Sequence, residues 1–109
     1  MSERAGVPTG TLVLLILRLL RTEPLHGYAI AQRIAQLSND QLTVEEGSLY
    51  PALQKMLLKG WVRASHVTSE SGRTVRQYKL TAAGTRRLQE EQASYEQASA
   101  AIAFILAHA

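Results

Sequence analysis

A chain of 109 residues has room for one compact domain with a thin hydrophobic core, and a composition of 46% hydrophobic and 19% charged residues is globular rather than disordered. The absence of cysteine excludes disulfides, thiolate metal sites and cysteine nucleophiles together, and with aromatics at 6% the core must be built from Leu, Ile, Val and Ala. The net charge of +3 is unevenly spread, with six basic against three acidic side chains in residues 44–80, so a polyanion, if one is bound, meets the middle third; a solvated basic face is the alternative.

The apolar run from Leu12 to Leu20 is interrupted by Arg18 and followed by Arg21, too short for a membrane span. It also lacks a preceding basic stretch and a following small-residue cleavage site, so it reads as a buried helix and the chain as cytoplasmic, with no membrane partner. The helix is predicted from about Thr9 to Arg21, with Leu12, Leu15, Ile16, Leu19 and Leu20 on one face and Thr22, Glu23 and Pro24 ending it.

A second helix opens near His26 and Gly27. It turns Ile30, Ile34 and Leu37 inward and Gln32, Arg33 and Gln36 outward, and closes in the turn chemistry of Ser38, Asn39 and Asp40. The third begins between Thr43 and Gly47 and runs to Lys59, with Leu49, Ala52, Leu53, Met56 and Leu57 on one stripe and Gly60 as its stop. Thr43 and Glu46 have capping-box spacing, which would bury Pro51 within the helix. A start nearer Gly47 places Pro51 in the first turn, where its missing N–H is harmless, and is favoured on that ground.

Beyond Gly60 the period becomes alternating, with Val62, Ala64 and His66 on one side and Arg63, Ser65 and Val67 on the other. Thr68–Thr74 is rich in turn residues, and Val75–Leu80 alternates again, so the two strands form a hairpin with a long polar tip. Leu80, Thr81, Ala82 and Ala83 supply a staple, an N-cap and a first turn for a last helix that reaches the C-terminus. It carries Leu88, Tyr95, Ala98, Ile102 and Ile105 near a heptad seam, joined by Phe104 and Leu106. So apolar a helix needs a partner surface; a second copy is expected, and folding back onto its own domain is the alternative. The fold class is mainly α with a small β-hairpin: a winged helix-turn-helix over residues 1–81 and a long C-terminal dimerisation helix over residues 82–109, in one compact unit.

Four segments carry a family resemblance at matching spacing. His26-Gly27-Tyr28-Ala29-Ile30, Glu46-Gly47-Ser48-Leu49-Tyr50-Pro51-Ala52-Leu53, Gly60-Trp61-Val62 and Gln77-Tyr78-Lys79-Leu80-Thr81-Ala82-Ala83-Gly84 resemble PadR-type regulators over roughly residues 9–88. The resemblance implies a sequence-specific DNA-binding transcriptional regulator, a repressor that reads a palindromic operator as a homodimer; whether a small-molecule effector is a further partner is left open by the sequence. Larger members of the family carry a longer helical dimerisation region than the single C-terminal helix here, which argues against an effector pocket of the larger kind.

The residues themselves nominate the contacts. The third helix leaves Ser48, Tyr50, Pro51, Gln54 and Lys55 available: Gln54 suits adenine, Lys55 phosphate or guanine, and Ser48 and Tyr50 phosphate or base edges. A solvated helix face is the bland alternative. Glu45 and Glu46 repel phosphate unless they serve as caps, their expected role. Arg73 at the hairpin tip and Arg76 on the return strand suit phosphate or the minor groove, whereas Arg63 and Lys79 read equally as solvated strand charges.

The resemblance implies that His26 and Tyr28 lie beside the DNA backbone; a cap and a core aromatic are the alternatives. Trp61 is a packing residue at the start of the wing, with stacking of a flat aromatic effector as its alternative. His26, His66 and His108 are scattered, no carboxylate stands at metal-ligand or triad spacing, and no Gly-rich phosphate loop is present, so no enzyme, metal or cofactor is expected. The remaining competitor is a winged helix that docks protein rather than DNA.

Overall fold

A computed structural model of the chain describes residues 4–8 and 10–109; residues 1–3 of the expected first unit, and the expected helix start at Thr9, lie outside them. In chain order the elements are β1 (Ala5–Gly6), α1 (Leu12–Thr22), β2 (Leu25–His26), α2 (Gly27–Leu37), β3 (Leu42–Thr43), α3 (Glu46–Leu58), β4 (Val62–Thr68), β5 (Thr74–Leu80) and α4 (Ala82–His108). This is the mainly helical winged-helix arrangement with a C-terminal helix, and three short strands are added to it. Strand β2 pairs antiparallel with β5, Leu25 opposite Tyr78 and His26 opposite Gln77, so the wing is a three-stranded sheet in the order β2-β5-β4. Strand β1 pairs in parallel with β3, and the exposed Arg4–Asp40 ion pair at 2.9 Å adds little to it.

The core lies where three helices meet the sheet. Ile16, Leu17 and Leu20 of α1, Ile30 and Ile34 of α2, Leu49, Leu53 and Met56 of α3, Val62 and Tyr78 of the sheet and Leu88 of α4 are buried together. Leu12, Leu15 and Leu19 are half-buried against this cluster, while Leu17, which falls off the expected stripe, is buried completely. Leu37 departs from expectation. It continues the stripe of Ile30 and Ile34 but is 61% exposed, because it stands at the rim of an open groove formed with Arg18, Leu19, Thr22, Glu23, Leu25 and Arg33, and no apolar layer closes over it.

Both helix endings foreseen from turn chemistry are Schellman closures. At the end of α2, Asn39 and Asp40 have φ of 52° and 61°, and their N–H groups donate to Gln36 O at 3.1 Å and Ala35 O at 2.8 Å. At the end of α3, Gly60 has φ of 76°; it donates to Leu57 O at 3.1 Å, and Trp61 donates to Met56 O at 3.0 Å.

The start of α3 corrects two expectations. Glu45, not Thr43, occupies the N-cap position, and its side chain makes no cap hydrogen bond; Thr43 is held in β3, so the capping box does not form. Pro51 lies inside α3, beyond the first turn. The carbonyl it deprives of a donor belongs to Gly47, which is exposed, so water can take that bond.

The N-cap of α4 is as expected. Thr81 Oγ1 accepts from Gly84 N–H at 3.0 Å, Gly84 is buried against Trp61 and Leu80, and Leu88 is buried in the core. From Gln92 onward every residue is exposed, so the helix projects away from the body and gives the molecule its 55 Å long axis. Among the described residues no helix is long and apolar enough to cross a membrane.

Candidate nucleic-acid interface

Helix α3 divides into two faces. Leu49, Leu53 and Met56 are buried, whereas Ser48, Tyr50, Pro51, Gln54 and Lys55 are all exposed. At 3.6 residues per turn these five form one contiguous strip opposite the core. The strip offers hydroxyls, an amide and an ammonium to whatever lies against it.

Pairing of β2 with β5 carries the start of α2 to the edge of this strip. A Cβ added at Gly27 would stand 3.1 Å from Tyr50 Cε1 and 3.2 Å from its hydroxyl, so glycine is what allows the Tyr50 ring to lie directly against the first turn of α2. From the sheet side, the Arg76 guanidinium sits 5.6 Å from the centroid of the Tyr78 ring. The result is a cleft of 310 Å³ lined by His26, Gly27, Tyr28, Tyr50, Val75, Arg76 and Tyr78, where α2, α3 and β5 meet.

Four of the residues nominated from sequence, His26, Tyr28, Tyr50 and Arg76, are therefore neighbours. Neither His26 nor Tyr28 has its alternative structural role: His26 stands at the N-cap of α2 without a side-chain cap bond, and Tyr28 is 62% exposed, not a core aromatic. Arg73 is outlying. It is exposed in the turn between β4 and β5, whose tip is closed by Ser69 N–H donating to Arg73 O at 2.8 Å and by Gly72 in the left-handed region at φ 83°.

Arg63 and Lys79 face one another across the hairpin ladder, are exposed and take no part in the cleft. Glu46 lies in the first turn of α3, where its charge favours the helix dipole, whereas Glu45 caps nothing with its side chain. Trp61 is half-buried with the Arg87 guanidinium 4.9 Å from its ring centroid, a packing arrangement.

Gly27, Val75 and Tyr78 line the cleft without having been nominated as site residues. Tyr78 had a readable signal, since residues two apart in a strand share a face and Arg76 was already a candidate. Gly27 had one too, standing between His26 and Tyr28 in a segment that carries the resemblance, whereas Val75 had none, because its place depends on how β5 packs against α2. Among the described residues no group of three or more His, Asp or Glu is arranged to hold a metal ion.

Residues 16–90 match the family model of the transcriptional regulator PadR-like family. The chain belongs to that family. The structure of a PadR-like transcription factor from Bacteroides fragilis is 32% identical with a TM-score of 0.70, over 88% of this chain and 90% of that one. A PadR family transcriptional regulator from Eggerthella lenta DSM 2243 is 28% identical with a TM-score of 0.78, over 92% and 85%. The protein smu.1704 from Streptococcus mutans UA159 has a TM-score of 0.83 at 24% identity, over 97% and 95% of the two chains, and speaks for the fold alone. The PadR-like chain is thus a transcriptional regulator with a winged-helix DNA-binding fold, in a family of regulators rather than enzymes.

Proposed function

We propose that this PadR-like regulator is a cytoplasmic repressor that binds a palindromic operator as a homodimer. Helix α3 enters the major groove and the β4–β5 wing rests on the flanking backbone. The observation that carries the reading is the gathering of His26, Tyr28, Tyr50 and Arg76 around one cleft beside the exposed strip of α3. This joins three elements into a surface of donors and aromatic edges with no carboxylate among its lining residues. Gln54 and Tyr50 read base edges, Ser48, Pro51 and Lys55 seat the helix against the groove wall, and His26, Tyr28, Arg76 and Arg73 hold the backbone on either side.

In this reading residues 1–81 are the reading unit and residues 82–109 the dimerisation helix. Tyr95, Ala98, Ile102, Phe104, Ile105 and Leu106 are all exposed on α4, and pairing with a second copy removes them from water. Repression is the direct outcome of such binding where the operator overlaps a promoter, since a seated dimer occludes it.

The test is a gel shift of the full chain on the DNA upstream of its own gene across a salt series. Affinity that falls steeply with salt, as phosphate contacts release counterions, supports the reading. Failure to retard that DNA at any salt concentration would favour a winged helix that docks protein.

A further inference from the structure

The first two turns of α4 are clamped to the end of α3 and the start of the wing by contacts that leave no play. A Cβ on Gly84 would overlap the carbonyl oxygen of Trp61 and stand 2.6 Å from Leu80 Cδ1 and 3.0 Å from the Trp61 carbonyl carbon. Backbone therefore meets backbone with no side chain between, and a rigid carbonyl cannot step aside as a flexible side chain would. Around that contact, Thr81 N–H donates to Trp61 O at 3.0 Å and Thr81 Oγ1 donates to Gly60 O at 2.7 Å. One turn on, the Arg87 guanidinium lies over the Trp61 ring at 4.9 Å. Its far side is held by Glu91, at 2.6 Å and 2.9 Å, and by Glu90 at 3.4 Å.

We infer that Gly84 and the Trp61–Arg87 stack are positioning residues that fix the angle between α4 and the reading surface, and so set the spacing of the half-sites that the regulator reads. The inference rests on the homodimer proposed above and deepens it. Leverage makes the angle matter. With the two seams paired, a change of that angle swings each reading head about its own Gly84, and twofold symmetry doubles the effect on the distance between the heads, which the rise of DNA converts into base-pair steps. Contacts that touch no DNA thereby choose among operators with identical half-sites.

The experiment selects binding sites from a pool of random-sequence duplexes with the wild-type chain, Gly84→Ala and Arg87→Met, and sediments each protein in parallel. Arg87→Met keeps the aliphatic stem on Trp61 and removes the cation, so it decides the matter alone if Gly84→Ala does not fold. Wild type should return inverted half-sites at one spacing. The variants should sediment as dimers and return the same half-sites at a shifted or broadened spacing. They should lose roughly tenfold in affinity for the wild-type spacing and less than about twofold for a lone half-site. A variant that is only destabilised would not change spacing while keeping the half-site sequence. Dimeric variants with the wild-type spacing and affinity overturn the inference and leave the homodimer standing. A wild-type chain that sediments as a monomer and returns unpaired half-sites overturns the homodimer reading, and this inference with it.

Discussion

Tyr50 is held on one side and free on the other. Its ring lies against Gly27, which fixes its direction, and 49% of its surface is exposed at the cleft. Removing Tyr50 or its neighbour on the strip, Gln54, should therefore cost binding and not folding. Tyr50→Ala or Gln54→Ala is expected to weaken specific DNA binding by roughly 1–3 kcal/mol with unchanged circular dichroism; full operator affinity in both would remove α3 from the role of reader. Arg73 makes the opposite kind of residue. It stands on the wing turn, away from the cleft, so Arg73→Ala should weaken specific and nonspecific DNA alike and lower the slope of log affinity against log salt by about one unit. A selective loss of sequence preference in that variant would contradict a backbone contact. Much at this scale was legible: the strip of α3 follows from period alone. What sequence left open was whether His26 caps α2 and Tyr28 enters the core or both stand at a binding surface, because the pairing of a two-residue strand decides it and two residues carry no period.

Among the elements, α4 has the most clearly written beginning. Thr81 Oγ1 accepts from Gly84 N–H and also donates to Gly60 O, so one hydroxyl caps a helix and ties it to the preceding turn. Thr81→Ala should cost roughly 1–2 kcal/mol in urea denaturation and Thr81→Ser much less; equal stability of the two variants would mean that the hydroxyl contributes nothing. The cap at Thr81 and the left-handed glycine at Gly60 were legible because each is a local signal. The capping box at Thr43–Glu46 was equally local and did not form, since tertiary pairing of β3 with β1 takes Thr43 for a strand. Strands β1, β2 and β3 were illegible for the same reason: their partners are distant in the chain, and nothing within two residues announces them. Leu37 shows the limit of period itself, which gives a side chain its direction but does not say whether anything lies there to cover it.

For the whole molecule, the question is what a projecting apolar helix does in water. Ile102 and Ile105 are exposed on α4, by 57% and 61%, far from the core that stabilises the body. Ile102→Glu combined with Ile105→Glu should convert the chain to a monomer by sedimentation and abolish operator binding, while the thermal unfolding of the body, residues up to Gln89, changes little. Wild-type protein that sediments as a monomer at micromolar concentration yet binds its operator tightly would rule the dimer mechanism out. The apolar positions of α4 were legible from their heptad spacing; that Leu88 belongs to the core and not to the seam, and that the helix is exposed from Gln92 onward, could be known only from the packing.

The pairing of β2 with β5 also orders events in time. All three helices of the reading head are synthesised before the strand that anchors the start of α2, because Leu25 pairs with Tyr78 far downstream. Contacts of high sequence separation form late, and at roughly 5–20 residues per second a ribosome needs about one to four seconds to pass from the end of α3 to the end of β5. A chain that has not yet made β5 cannot form the cleft, because Val75, Arg76 and Tyr78 are part of its lining. Pulse-labelling hydrogen exchange during refolding should find the amides of β2 gaining protection together with β5 and later than the interior of α2. The cleft is thus completed by the hairpin and not by the third helix.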